Sequence, residues 1–297
     1  MSHYICGLKA FHQLRPGDLK DCIRSHASVY DMGLAGPDLF FYSLKETFFG
    51  GMKTGSLLHK NRTGAFLTSL CRHAVRLEGD DRGAAVAYAA GFLGHYSLDS
   101  ACHPFVFRVC HDPNGRKELG RHYRFEAAAD AYFCERYLHR DIRQSHQMGL
   151  LKLSSSEKKV IASLLASALQ EVFPEKKGLP DAAKIRRVLT EYYLVTGFLM
   201  DDSGFRDWLV GSFENRKQGY PLFSGLFINA NRYGAGEELL ERFRKRFDRG
   251  IRRNIRLLTA LEQYLSSDER TDRSEEHFAA AVGNLSYHTG RQLPLTT

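Results

Sequence analysis

The chain has 297 residues, 43% of them hydrophobic, which is enough for one large domain or two small domains with a buried core. Lysine and arginine outnumber aspartate and glutamate by 42 to 34, and this moderate basic excess suits a protein that works near polyanions such as phospholipid head groups or nucleic acid. No uncharged apolar stretch approaches the roughly 18 residues that a membrane-spanning helix needs, which excludes a transmembrane protein of that kind.

The N-terminal sequence MSHYICGLKAF lacks the charged leader, apolar run and cleavage site of a signal peptide. The cysteines show no CxxC spacing, so we expect reduced, partly buried thiols in a reducing compartment and assign no metal to them. Together these features predict a cytoplasmic protein. The six cysteines are Cys6, Cys22, Cys71, Cys102, Cys110 and Cys134.

The first half of the chain reads as helical, because apolar residues return every three or four positions and no convincing strand is present. A first helix is predicted over Tyr4–Leu14, ending at Pro16-Gly17, and a second begins at Asp18, a good N-cap residue. Pro104 is predicted to close a later helix, because the residue before a proline disfavours helical backbone. Further helices are predicted over Thr63–Glu78, Gly83–His103 and His122–Arg140.

In the second half, Ser154 and Glu157 form a capping-box pattern that opens a helix reaching Phe173. Pro180-Asp181 starts another helix that runs to about Met200, and a long helix covers Glu237–Leu265. The polar segment SSDERTDRSEE is predicted to be a mobile linker, and RQLPLTT a tail. We therefore predict an all-α bundle of about nine helices, with one domain over residues 1–265 and a linker, short helix and tail over 266–297.

One predicted helix places His95, Asp99 and His103 four residues apart. On an α-helix these positions advance by about 6 Å per step and drift little around the axis, so all three side chains point to one side. His95 and Asp99 could hold one metal ion together, and His103 is placed for a second ion. Asp99 could bridge two ions if one lay on each side of it.

The same ligand types return at His122, Glu126 and Asp130, again one helical turn apart. A lone histidine on a helix is more often an ordinary hydrogen-bonded residue than a ligand, and an isolated His/Glu pair at this spacing is usually a surface interaction worth about 0.2–0.5 kcal/mol. Taken jointly, however, the two rows favour a metal site.

Three upstream residues are weaker candidates when each is taken alone. Asp38 follows two glycines and a proline and could simply cap a helix. His59 precedes a predicted helix start and could be a polar loop residue. His3 lies at the extreme N-terminus, where disorder is the ordinary expectation.

The order of all these candidates resembles that of the bacterial zinc-dependent phospholipase C family, whose all-helical members include the phosphatidylcholine-cleaving phospholipases and the catalytic domain of clostridial alpha-toxin. The resemblance covers about the first 140 residues. It runs through SHYICGLKAF, GLAGPDLFFY, LLHKNRTGAF, GFLGHYSLDSACHPF and HYRFEAAAD. In chain order, the matching residues are His3, Asp38, His59, His95, Asp99, His103, His122 and Glu126.

The resemblance implies two or three Zn²⁺ ions in one groove. The first ion would be held by Asp38, His59, His95 and Asp99, the second by His103, His122 and Glu126, and the third by His3 with bridging Asp99. Two departures from the family pattern stand out. His103 follows Asp99 after four residues where the secreted phospholipases have six, and the N-terminal tryptophan whose amine binds their third zinc is missing.

The activity that the resemblance implies is hydrolysis of a phospholipid phosphodiester by zinc-activated water, giving diacylglycerol and a phosphorylated head group. Asp38 would be the metal ligand that also orients or deprotonates the water. Two alternatives remain open: a zinc-dependent single-strand nuclease, which shares this fold and much of this ligand set, and a non-catalytic helical protein that binds metal.

Two aromatic or basic segments each allow two interpretations. In ERFRKRFDRGIRRNIRLL, an apolar stripe either faces the core or, with the surrounding arginines, contacts a membrane surface or polyanion. This stripe contains Phe243, Phe247, Ile251, Ile255 and Leu258. A second set of aromatic residues either lines a head-group pocket or belongs to the core. This set contains Phe40, Phe41, Tyr42, Phe48 and Phe49.

Overall fold

The computed structural model of the chain describes residues 1–44, 53–111, 119–142, 151–200, 205, 208–209, 236–267 and 272–294. Within these ranges no β-strand is found, and the prediction of an all-α fold is confirmed. A 3₁₀ helix covers Gly36–Tyr42. The α-helices are α1 (Ser2–Gln13), α2 (Asp18–Ser25), α3 (Ala27–Gly33), α4 (Thr54–Lys60), α5 (Thr63–Val75), α6 (Gly79–Cys110), α7 (Leu119–Leu138), α8 (Ser155–Val172), α9 (Ala182–Leu199), α10 (Glu237–Leu265) and α11 (Asp272–Val282).

The long helix α6 is the centre of the bundle. Every residue from 84 to 100 is buried, because α6 packs against the 3₁₀ helix and against α1, α2, α3, α5, α7, α8 and α10. Helices that are apolar on all sides belong in the middle of a protein. The few polar residues of this stretch, among them His95 and Asp99, are therefore held inside the core.

Helix α6 does not end before Pro104, and this prediction was wrong: the helix continues to Cys110. Proline in a helix interior costs about 3 kcal/mol because it removes one hydrogen bond and crowds the preceding turn. Here the residues around it, Cys102, Phe105 and Val106, are buried in a hydrophobic cluster. We attribute the continuation of the helix to this packing, which offsets the local cost.

Helices α3 and α6 cross at two glycines. A Cβ atom on Gly91 would lie 2.2 Å from the Tyr30 carbonyl oxygen, and one on Gly33 would lie 2.3 Å from the Tyr88 carbonyl oxygen. The two backbones therefore touch, which no larger residue at either position allows. This contact places Leu34 and the 3₁₀ helix that follows it directly beside α6.

Most of the other predicted helix ends lie within a few residues of the observed ones. The capping box is confirmed, since the Ser154 hydroxyl accepts the Glu157 N–H and the Glu157 carboxylate accepts the Ser154 N–H. Asp181 caps α9. At α2 the cap is Gly17 rather than Asp18, and the carboxylate of Glu262 accepts the Leu19 N–H.

The segment predicted as a mobile linker contains the start of α11, which packs on α5 and α10. Phe278, Val282 and Tyr287 are buried in the main hydrophobic cluster. Residues 268–271 of that segment and the last three residues of the predicted tail lie outside the described residues. The division of the chain after residue 265 stays a prediction.

The apolar stripe of α10 faces the core, so the first interpretation of this helix is confirmed. Phe243, Phe247, Ile251 and Leu258 are all buried. Between residues 242 and 256 the exposed residues recur every three or four positions on the opposite side and form a basic stripe: Arg242, Lys245, Arg249, Arg252 and Arg256.

Membrane-spanning helices and cysteine pairing were the two other features considered from the sequence. None of the helices there is both long and apolar enough to cross a membrane. All six cysteines are free thiols, and five of them are buried.

Candidate metal centre

Eight side chains from five elements meet at one place in the bundle. Helix α1 contributes the first, the 3₁₀ helix the second, α4 the third, α6 the next three and α7 the last two. They are His3, Asp38, His59, His95, Asp99, His103, His122 and Glu126, the residues predicted from the sequence.

The first group of possible metal ligands is Asp38, His59 and His95, whose ligand atoms all lie within 4.8 Å of one another. The Nε2 atom of His59 is 3.1 Å from Asp38 Oδ1, and that of His95 is 4.0 Å from Asp38 Oδ2. The second group is His103, His122 and Glu126. Glu126 Oε1 lies 3.0 Å from His122 Nε2 and 3.5 Å from His103 Nε2.

The third group, His3, His95 and Asp99, shares His95 with the first. Asp99 Oδ1 is 2.9 Å from His3 Nε2, and Asp99 Oδ2 is 3.1 Å from His95 Nε2. Asp99 Oδ2 also lies 3.8 Å from His59 Nε2 and 3.4 Å from His103 Nδ1. The carboxylate of Asp99 thus stands among four imidazoles and lies next to all three groups.

Backbone carbonyl groups orient two of these histidines. His95 Nδ1 lies 3.0 Å from the Leu34 carbonyl oxygen, and His59 Nδ1 lies 2.7 Å from the Gly55 carbonyl oxygen. Since a carbonyl oxygen can only accept, both Nδ1 atoms must donate. In a neutral imidazole this leaves a lone pair on Nε2, which faces the carboxylates of Asp38 and Asp99. Metal-binding histidines have this arrangement.

The residues fit a bound cation. Among the described residues, four buried polar atoms of this cluster have no hydrogen-bond partner: His95 Nε2, Asp99 Oδ2, His103 Nδ1 and His122 Nδ1. Unpartnered polar atoms and buried charges are costly, and a cation among them would remove that cost. Imidazole nitrogen and carboxylate oxygen are suitable donors for zinc, and the set contains no thiolate.

Without a metal, the charges of the cluster shift each other's pKa. Burial raises the pKa of Asp99, but His103 and His95 outweigh it and hold that pKa well below the ordinary value. Burial also raises the pKa of Glu126, but His122 and His103 outweigh it and lower that pKa below the ordinary value. At His103 burial lowers the pKa, yet Asp99 and Glu126 raise it to about 9. The carboxylates are therefore ionised at neutral pH.

A cleft of about 250 Å³ opens onto these groups. Asp38, with 37% of its side chain exposed, lies at the cleft, whereas Asp99 is 2% exposed. An adjoining hollow of about 130 Å³ shares Asp38 and His3 with the cleft. Among the other cleft-lining residues are Tyr42, Tyr123, Tyr192 and Thr196.

The structure explains why the short spacing of His103 does not remove it from the cluster. Because α6 continues past Pro104, His103 lies one turn beyond Asp99, with Nε2 toward Glu126 and Nδ1 toward Asp99. Asp130 lies apart from the three groups, and its carboxylate accepts the Ser2 N–H at 2.8 Å.

Asp38 and His59 lie in other secondary-structure elements than the sequence suggested. Asp38 lies inside the 3₁₀ helix, and His59 lies in the last turn of α4 rather than in a loop. Phe41 stacks on His59 and Tyr42 packs against Tyr192, so both are near the cleft. Phe48 and Phe49 lie outside the described residues.

Sequence reasoning missed Tyr287 and His288, in the turn after α11. Tyr287 is buried, and its ring centroid lies 5.0 Å from that of His59 and 5.8 Å from that of His95. The ring of His288 lies 5.4 Å from His59 and 6.0 Å from His103. Burial, with repulsion from these two histidines, lowers the pKa of His288 to about 4. No spacing in the sequence connects these residues with the two ligand rows.

The model of a family described as zinc-dependent phospholipase C matches residues 2–173, a stretch that contains all eight clustered residues. No curated protein and no solved structure matches the chain.

Proposed function

The chain belongs to the zinc-dependent phospholipase C family, and from this premise we propose that it is a zinc-dependent hydrolase of phospholipid phosphodiesters. Its products would be diacylglycerol and a phosphorylated head group. The observation that supports this most directly is the convergence of eight imidazole and carboxylate side chains around buried Asp99, at the base of an open cleft.

The proposed ligands follow the three groups. Asp38, His59, His95 and Asp99 would hold one ion, His103, His122 and Glu126 a second, and His3 with bridging Asp99 would help to hold a third when it is present; the single free lone pair of His95, on Nε2, serves the first ion. When bound, zinc would lower the pKa of water so that hydroxide is available at neutral pH, and it would supply positive charge to the phosphoester.

We assign to Asp38 the role of orienting or deprotonating the attacking water. Burial raises the pKa of this carboxyl, but His95 and His59 outweigh it and lower the pKa below the ordinary value. Asp38 is therefore ionised at neutral pH, and its partial exposure lets it accept a hydrogen bond from water in the cleft. The water oxygen forms the new bond to phosphorus, the bond from phosphorus to the glycerol oxygen breaks, and a proton ends on that oxygen.

The test is Asp38→Asn, assayed on a chromogenic phosphocholine ester and on single-stranded DNA. We expect turnover of the ester to fall at least about 100-fold, as for loss of a catalytic acid–base group, while zinc falls by no more than one ion per chain. Asp80→Asn, the same change at an exposed position on α6, is the matched control and should keep full activity.

Two other results would replace the proposal. Cleavage of the DNA but not of the ester would identify a nuclease. Stoichiometric zinc without hydrolysis of either substrate by the wild type would identify a metal-binding protein with no phosphoesterase activity.

We also propose contact with the surface of an anionic membrane, supported by the exposed basic stripe of α10 rather than by its buried apolar stripe. The basic stripe lies on the side of α10 opposite Phe243 and Phe247, which line the cleft. Contact through the basic stripe would recruit the protein to the membrane electrostatically. A cytoplasmic location stays a prediction.

A further inference from the structure

His103 is held differently from the other histidines of α6 and α4. His59 and His95 each donate Nδ1–H to a backbone carbonyl, whereas His103 Nδ1 is buried with no hydrogen-bond partner in the described part of the chain. A metal-binding imidazole needs a fixed ring orientation. The carboxylates of Asp99 and Glu126 face its two nitrogens at 3.4 and 3.5 Å, but both are themselves proposed metal ligands, so we look to the packing around the ring for what fixes its orientation.

Aromatic packing surrounds that ring. Its centroid lies 5.5 Å from the ring centroid of Phe107, one turn later on the same helix, and 6.0 Å from that of His288, which lies near the C-terminal end of the chain. His288 stacks on Phe107 at 5.0 Å and meets His59 edge-on at 5.4 Å. His288 thus touches one histidine of the first group and one of the second.

The turn over residues 283–292 is anchored beside the ligands themselves. The Tyr96 hydroxyl, next to His95, donates to the Val282 carbonyl and accepts the Leu285 N–H. The Thr63 hydroxyl, four residues after His59, donates to the Leu285 carbonyl. The turn is therefore hydrogen-bonded to both segments that carry the first group's histidines.

The far side of the turn rests on α6 between Asp99 and His103. Gly290 has a φ of +61°, and a Cβ atom there would lie 2.4 Å from the Ser100 carbonyl oxygen. Pro104 has no N–H to donate to that carbonyl, so the turn occupies the position where the helix is locally weakened. The Ser286 hydroxyl accepts the N–H groups of His288 and Thr289, which fixes the backbone that carries the His288 ring.

We infer that His288 is a positioning residue of the metal centre, whose ring packs against His103 and Phe107 and so orients the second ligand group. The inference rests on the proposed function in taking the three groups as metal sites. It assigns a role to a segment outside residues 2–173, the part of the chain that the family model matches.

The test is zinc affinity, measured by competition with a chromophoric chelator, together with the visible spectrum of the Co²⁺-substituted protein. His288→Ala should weaken one ion about 10- to 100-fold, as for loss of a group that orients a ligand, and should alter the Co²⁺ spectrum. His288→Phe keeps a ring of similar shape and should bind within about threefold of wild type. Thr289→Ala, the exposed neighbour, is the control and should bind as wild type does.

Two results would overturn the inference: unchanged affinity in His288→Ala, or equal loss in His288→Ala and His288→Phe, since the latter would show that the imidazole nitrogen itself is required. If His288→Ala does not fold, Gly290→Ala tests the same point by displacing the turn, and unchanged affinity there would equally overturn it. A wild-type protein that binds no zinc at all would instead contradict the proposed function.

Discussion

Asp99 is the residue on which the geometry of the centre depends. Its carboxylate is buried within reach of four imidazoles, and each of its oxygens faces at least one of them. A buried carboxylate is stable only when it is paired with positive charge or coordinates a metal. In the metal-free protein, protonated histidines must supply that charge, and this makes the stability of the metal-free state depend on pH.

His103 gives the clearest pH prediction. Its pKa is about 9 in the folded metal-free protein against 6.5 for the free side chain. A raised pKa contributes stability that is fully present below pH 6.5 and is lost as pH rises through 9. At about 1.4 kcal/mol per pKa unit, the free energy of unfolding should fall by at most roughly 3 to 4 kcal/mol over this range. Denaturant unfolding of chelator-treated protein measures it.

The matched variant for this measurement is His103→Gln, which is polar but does not titrate. Asp99 and Glu126 have lowered pKa values and stay ionised throughout the range, so they add no pH dependence of their own. The variant should show a flatter profile between pH 6.5 and 9. An identical slope in the variant and the wild type would contradict the assignment.

At the scale of single residues, the sequence predicts what helix geometry makes local. His95, Asp99 and His103 form a row because four residues make about one turn, and the same holds for His122 and Glu126. The proposed ligands His3, Asp38 and His59 could be named only through the resemblance. The carbonyl groups of Leu34 and Gly55 and the ring of His288 could not be predicted, because tertiary contacts alone bring them to the site.

Among the elements, the crossing of α3 and α6 has the most direct consequence for the site. Gly91→Ala would drive a methyl group into the Tyr30 carbonyl, and overpacking against a rigid backbone costs about 1–3 kcal/mol or more. Because α3 leads into Leu34 and Asp38, we expect weaker zinc binding together with the lost stability. Thermal melting and zinc titration measure the two effects.

Gly83→Ala is the control, since it lies on the same helix and its methyl group would meet a side chain rather than backbone: the Cβ atom would lie 2.8 Å from His26 Nε2, so that ring must move aside. Alanine is favoured over glycine within helices by about 1 kcal/mol, which offsets this cost, so the variant should lose much less stability than Gly91→Ala. Equal stability of the Gly91 and Gly83 variants would show that the crossing is not as tight as described.

The basic stripe of α10 gives a second prediction at this scale. Replacing Arg249, Arg252 and Arg256 by Gln removes three charges, each worth about 1 kcal/mol near an anionic membrane. The affinity for phosphatidylserine-containing vesicles, measured by co-sedimentation at low salt, should therefore fall by about 100-fold. The control is Arg24→Gln, an exposed change on α2. Unchanged binding of the triple variant would exclude this surface.

Elements with strong local signals were predictable and those decided by packing were not. The capping box at Ser154 and the uninterrupted periodicity of α10 fix their helix ends locally. Pro104 is a strong local signal too, yet the buried surface on both sides of it keeps α6 intact. Likewise, the polar composition of residues 266–276 predicts a mobile linker, whereas its last residues, from Asp272, begin α11, a helix that the burial of Phe278 and Val282 holds to the core.

At the scale of the whole molecule, the proposed metal ions would cross-link elements far apart in the chain. The three groups join α1, the 3₁₀ helix, α4, α6 and α7. The turn after α11 packs against these groups through the rings of Tyr287 and His288. Since such a site does not exist in the unfolded chain, the free energy of metal binding stabilises the fold. The count of bound ions therefore reports directly on whether this convergence is correct.

That count is the most direct test of the central claim, made by elemental analysis of the purified, zinc-replete protein and two variants. His122 belongs to one ligand group and His95 to two. We predict two or three zinc ions per wild-type chain, one fewer in His122→Ala, and at least one fewer in His95→Ala. A wild-type chain that holds no zinc, or a count that neither substitution changes, would contradict the account.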